Sequence, residues 1–133
     1  MMRLIDKLAW LHIVDKKFLM LRSHGKGMFY FPGGKREEGE SDLEALSREL
    51  REELGITLDR ASARLYGIFQ AEAHGQSEPS QVKLTLYEGD WTGTMEPQSE
   101  IAEMSWFDSS GAGWLTPLAQ TIAASLRERK LID

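Results

Sequence analysis

The sequence predicts an α/β fold in which a mixed β-sheet is packed between helices. Three observations carry this expectation. About six stretches alternate or run apolar in the manner of strands, two stretches repeat apolar residues at helical spacing, and the apolar stripes of those helices call for opposed surfaces to cover them. The 133 residues contain neither an internal repeat nor an interdomain linker, so one domain spanning 1–133 is expected.

Taken in order, residues 3–14 alternate as a half-buried strand. Leu8, Trp10, His12 and Val14 fall on one face, and Ala9, Leu11 and Ile13 on the other. Asp15-Lys16-Lys17 is a polar turn, and Phe18 to Arg22 returns as the second arm of a hairpin. Ser23 to Gly27 is a loop with Arg22, His24 and Lys26 in or beside it. Met28 to Phe31 is a short apolar strand leading into Pro32-Gly33-Gly34, where a sharp turn is expected and glycine permits backbone to approach a ligand.

A loop carrying Glu40 then precedes the first helix. Ser41 and Glu44 have the spacing of a capping box, and Asp42 and Glu44 suit the positive end of the helix dipole. Leu43, Leu46, Leu50 and Leu54 line one stripe, and Gly55 is the expected left-handed residue after the last turn. Residues 64–73 read as a strand, and 74–80 as a loop containing His74, Gly75 and Pro79. Gln81 to Trp91 sets Val82, Leu84 and Leu86 against the wetter Lys83, Thr85 and Tyr87. A loop over 92–99 leads to a short strand at 101–107. Thr116 followed by Pro117 opens a last helix, to about Lys130, with Leu118, Ile122 and Leu126 on its apolar side.

The first helix bears more than a core stripe. Glu49, Glu52 and Glu53 sit at i, i+3 and i+4, so three carboxylates share a neighbouring stripe, where like charges repel. Clustered carboxylate oxygens suit a hard divalent cation, Mg²⁺ or Mn²⁺. Arg48 lies beside Glu49 and four residues before Glu52, placed to orient a carboxylate and offset the crowding.

With the glycines and Glu40 included, Gly34 to Ile56 resembles the Nudix box, G-x5-E-x7-R-E-U-x-E-E-x-G-U, where U is bulky and aliphatic. Gly34, Glu40, Arg48, Glu49, Glu52, Glu53 and Gly55 occupy the fixed positions, and Leu50 and Ile56 the aliphatic ones, without departure. A solvated acidic helix face accounts for Glu52 and Glu53 but not for the glycines or Glu40. The resemblance implies the Nudix-type α/β/α sandwich. It implies an Mg²⁺- or Mn²⁺-dependent pyrophosphohydrolase acting on a nucleoside diphosphate linked to a group X, with a nucleoside or deoxynucleoside triphosphate as the leading substrate. A nucleotide sugar, ADP-ribose or a non-catalytic nucleotide sensor are the alternatives. A sensor is expected to lose metal glutamates, and none is lost here.

The resemblance also implies roles. Glu49, Glu52 and Glu53 are expected to hold the metal, with Glu40 and Arg48 supporting the site. Catalysis is expected of Glu53 and Glu52. In the family the base is a box glutamate in some members and a later-loop carboxylate in others. Glu53 is therefore the first choice, and Glu100, then Glu103, the choice from outside the box. For substrate binding the candidates are Lys35, the glycines Gly33 and Gly34, and Arg22, with Lys26 weaker. Phe29, Tyr30 and Trp10 are core aromatics first and base-stacking candidates second. His74 is read as an exposed loop histidine.

Composition sets the remaining bounds. A net charge of −5 argues against a long nucleic-acid partner, yet a cation can bridge acidic protein to a small polyphosphate. No apolar run reaches the length of a membrane span, the N-terminus lacks the features of a signal peptide, and there are no cysteines. A cytoplasmic protein is expected, with a small nucleoside diphosphate derivative as partner, no nucleic acid and no membrane. A homodimer is allowed for but not required.

Overall fold

The computed structural model describes residues 3–73 and 78–133, so His74 and Gly75 lie outside the described residues. The strands are β1 Arg3–Trp10, β2 Ile13–Val14, β3 Lys17–Ser23, β4 Gly33–Lys35, β5 Thr57–Leu58, β6 Arg64–Glu72, β7 Ser80–Glu88, β8 Trp91–Thr92 and β9 Ile101–Phe107. The helices are α1 Asp42–Leu54 and α2 Pro117–Glu128. A mixed sheet has the order β4-β1-β7-β6, with β1 and β7 parallel and the other pairs antiparallel. An antiparallel sheet β2-β3-β9 and the small pair β5-β8 complete the strands.

The sandwich arises because β1 and β3 are apolar on both faces. Leu8 and Trp10 join Leu19, Leu21, Leu46, Leu50 and Leu54 in a core under α1. Ala9, Leu11, Phe18 and Met20 join Ile122, Ala123 and Leu126 in a second core under α2. Each helix thus covers one side, as the opposed stripes required. Leu43 and Leu118, at the helix starts, are only partly buried.

Several boundaries differ from the sequence expectation, each for a tertiary reason. The expected strand over 3–14 breaks after Trp10, because its halves serve different partners. The Leu11 N–H donates to the Tyr87 carbonyl, whereas Ile13 and Val14 pair with β3. The β2–β3 hairpin turns on Asp15 (φ 51°) and Lys16 (φ 62°), both left-handed as a two-residue hairpin loop requires.

Met28 to Phe31 is not a regular strand, holding only single bridges from Tyr30 to Leu21 and from Phe29 to Leu115. Nor does Pro32-Gly33-Gly34 turn sharply, since Gly33 and Gly34 extend as β4 along β1. The stretch over 81–91 divides into β7 and β8, which leaves to pair with β5.

Candidate active site

Local sequence positions α1 at both ends. Ser41 Oγ accepts from the Glu44 N–H (3.2 Å), and the Ser41 N–H donates to Glu44 Oε1 (2.9 Å). Gly55 closes the helix at φ 70°, its N–H donating to the Arg51 carbonyl. Arg36, which sequence reading passed over, ties this helix start to the sheet. Its guanidinium pairs with Asp42 (2.6 Å) and Asp6 (3.1 Å), and the Tyr87 hydroxyl donates to the other Asp42 oxygen (2.7 Å). A lone arginine in a charged loop carries no signal of these partners, which come from β1 and the start of α1, with Tyr87 of β7 behind Asp42.

The Glu49-Glu52-Glu53 stripe faces the free edge of β4. There the Gly33 N–H donates to Glu53 Oε1 at 2.7 Å. Gly34 lies against the Glu49 carboxyl, so an added Cβ would stand 2.6 Å from Glu49 Cδ. Exposure separates the three acids sharply, with Glu53 at 4%, the Glu49 side chain at 16% and that of Glu52 at 57%. Burial pushes the Glu53 carboxyl up to about 8 against the pull of the Gly33 N–H, with the charges of Glu49, Glu100 and Glu52 adding to the rise. Burial also raises Glu49, opposed by Arg48.

Arg48 is the hub of the polar side. It binds Glu40 in a fork (2.8 and 3.0 Å), reaches Glu49 at 3.0 Å and Glu52 at 3.4 Å, and caps the Lys35 carbonyl at 3.1 Å. Its hydrogen bonds, with the Glu37 N–H, hold the Glu40 carboxyl down to about 2.

As placed, the three helix carboxylates do not converge, and among the described residues no three acid or histidine side chains are grouped to hold a metal ion. The reason is local. Arg48 draws Glu49 and Glu52 one way, while the Gly33 amide holds Glu53. The donor set nevertheless fits a hard divalent cation. It is all carboxylate oxygen, its most buried member has no ion-pair partner among the described residues, and the Arg48 contact to Glu52 is long and exposed.

Other candidates are redistributed. The charge of Glu100 adds to the rise of both Glu53 and Glu49. Glu103 is instead paired with Arg22 at 2.9 Å, which also donates to the Lys26 carbonyl. Arg22 is thus engaged within the chain by Glu103 and the Lys26 carbonyl. With Lys26, Phe29, Phe107 and Trp114 it lines a cavity of about 400 Å³ that includes none of the helix glutamates. The Gly33 amide is engaged by Glu53, not left open to a ligand. Trp10 is fully buried, its indole N–H donating to the Gly89 carbonyl, and it is a core residue. Phe29 packs on Phe107, and the Tyr30 hydroxyl bonds Ser23. Lys35 is exposed at the end of β4, its side chain free of ion pairs among the described residues.

A family model described as the NUDIX domain matches residues 8–128. The chain is 30% identical over 122 residues to an NAD-capped RNA hydrolase of Vibrio atlanticus, covering 90% of this chain and 42% of that protein. It is 48% identical over 42 residues to an 8-oxo-dGTP diphosphatase of Proteus vulgaris, covering 32% of this chain and 38% of the other. The chain thus spans less than half the length of either relative. The solution structure of the E. coli ORF135 protein superposes with a TM-score of 0.74 at 29% identity, covering 99% of this chain and 96% of that one.

Proposed function

This chain belongs to the Nudix hydrolase family, and from that premise we propose that it is a divalent-cation-dependent pyrophosphohydrolase of nucleoside or deoxynucleoside triphosphates. The products are a nucleoside monophosphate and the phosphorylated remainder. The observation that carries this reading is the buried Glu53, held on the β4 edge by the Gly33 N–H beside Glu49 within a complete box. A triphosphate is favoured by the diphosphatase relative, whose name specifies a deoxynucleoside triphosphate. The net charge of −5 argues for a small substrate over a long capped RNA.

In this mechanism Glu49, Glu52 and Glu53 would hold Mg²⁺ or Mn²⁺, with Arg48 and Glu40 orienting them. When bound, such a cation lowers the pKa of water and neutralises charge on the phosphoryl groups. Lys35 pairs with phosphoryl oxygens. Glu53 takes the proton of the attacking water as its oxygen bonds to phosphorus and the bridging P–O bond breaks, with Glu100 the second carboxylate at hand. The buried setting of Glu53 excludes competing solvent, and its amide partner keeps one oxygen fixed. No described helix is long and apolar enough to cross a membrane.

The test is product release from nucleoside triphosphates, nucleotide sugars, ADP-ribose, dinucleoside polyphosphates and NAD-capped RNA, with Mg²⁺ or Mn²⁺. Triphosphates are expected to be the best substrates, nucleoside monophosphates inert, and excess EDTA to abolish turnover. In ¹⁸O-labelled water, mass spectrometry should find the label on one partner of a cleaved P–O–P bridge. Label only in phosphate released from monoesters would make the protein a phosphatase, and binding without turnover would make it a sensor. Full activity in EDTA would remove the metal from the mechanism.

A further inference from the structure

Lys7 takes no part in the box, yet the fold brings it to the site. In the register of the mixed sheet its partners are Lys35 on β4 and Leu84 on β7. Directly paired residues of neighbouring strands project to the same face, so the two ammonium groups share one, and like charges so placed repel. Leu8, the next residue, packs under α1, so Lys7 and Lys35 project to the opposite side of the sheet.

Among the described residues neither lysine forms an ion pair, although Lys7 is half-buried. The adjoining rungs are Leu8 with Gly34, which lies on the Glu49 carboxyl, and Ala9 with Gly33, which holds Glu53. The lysine pair therefore stands one and two rungs from the backbone that carries the acidic edge. The charges are mutually felt. Burial and Lys35 push the Lys7 ammonium below its ordinary pKa, and Glu53 and Glu49 oppose them.

A repelling, unpaired lysine pair on the face away from α1, one and two rungs from the β4 backbone against which Glu49 and Glu53 rest, is a binding device for an anion that reaches across both. We propose that Lys7 is a substrate-binding residue that forms with Lys35 a two-ammonium clamp for linked phosphoryl groups. This rests on the pyrophosphohydrolase reading. Neighbouring strands lie about 4.8 Å apart, so ammonium groups on paired residues can reach oxygens of two linked phosphoryl groups together. Lys35 engages the group nearer the β4 edge and Lys7 the group lying further over the sheet, which favours a substrate with more than one anionic phosphoryl.

The test uses inorganic pyrophosphate and orthophosphate as probes in calorimetry with Mg²⁺, on the wild type, K7M, K35M, the double variant and K17M as an exposed control. Losing one charge-assisted contact should weaken pyrophosphate binding about tenfold in K7M. The effects of K7M and K35M should be less than additive, since both grip one anion. Orthophosphate should change little, K17M should match the wild type, and K7R should recover most of the loss. In turnover of a nucleoside triphosphate, K7M should raise KM with little change in kcat. K7Q and thermal melts guard against misfolding. Unaltered pyrophosphate affinity and KM in a folded K7M or K7Q would overturn the clamp and leave Lys7 as a counter-charge to Glu53 and Glu49. A wild type that turns over no member of the panel, with pyrophosphate binding still weakened in K7M, would sustain the clamp and sink the reaction.

Discussion

Glu53→Gln is expected to lower kcat by at least about a hundredfold while the chain stays folded. Glutamine keeps an oxygen for the Gly33 N–H and fills the same buried volume, so packing is preserved. What it removes is the charge, and with it a metal oxygen and the proton acceptor. Glu44→Gln is the control, because Glu44 belongs to the capping box and is exposed. Equal loss of kcat in both variants would mean that the acidic face of α1 has been assigned in the wrong register.

The same variant has a pH signature. Folding raises the Glu53 carboxyl from 4.5 to about 8, so the folded chain binds this proton more tightly than the unfolded chain. The stability it contributes is fully present below pH 4.5 and is lost as pH rises through about 8. In EDTA the wild type should therefore lose, between those limits, a few kcal/mol relative to E53Q. Added Mg²⁺ should restore more stability to the wild type at pH 8 than at pH 6, because binding must displace that proton. Thermal melts of both proteins across pH, with and without Mg²⁺, measure this directly. Parallel pH profiles would show that Glu53 is not protonated in the metal-free fold.

Gly33→Ala is the second large effect, and it acts on folding. Gly33 holds φ 138°, a conformation closed to side-chain-bearing residues, and its missing Cβ would fall on the Leu8 carbonyl oxygen and within 2.8 Å of Ala9 Cα. Both are backbone atoms of the neighbouring strand, so no rotamer relieves the clash. The β1–β4 pairing must part or the fold must fail, at a cost of at least about 3 kcal/mol. The Glu53 amide partner moves with it, so activity should fall together with stability. Gly27→Ala, at a site with open space and no positive φ, should lie within about 0.5 kcal/mol of wild type by urea denaturation. A G33A protein as stable as the wild type would contradict the extended geometry of β4.

Features written in local chemistry were legible before any tertiary contact. The capping box at Ser41 and Glu44, the Gly55 terminus, the leucine stripe and the three glutamates all follow from spacing along one helix. The observed helix agrees with them residue by residue. The opposed stripes of α1 and α2 were likewise enough to place the strands between two helices. Tertiary structure decided what depends on residues distant in the chain. Pro32-Gly33-Gly34 reads as a turn because glycine and proline usually mark one. Here Gly33 is glycine because β1 leaves no room for a Cβ, and the segment is a strand. Arg22 reads as a free cation, yet Glu103, 81 residues on, claims it. Lys7 carries no motif and becomes a neighbour of the acidic edge only through its rung with Lys35. Three chemically identical glutamates on one stripe became a buried acid, a half-shielded acid and an exposed one. Burial sets the cost of carboxylate charge, and burial is decided by what the rest of the chain packs around it.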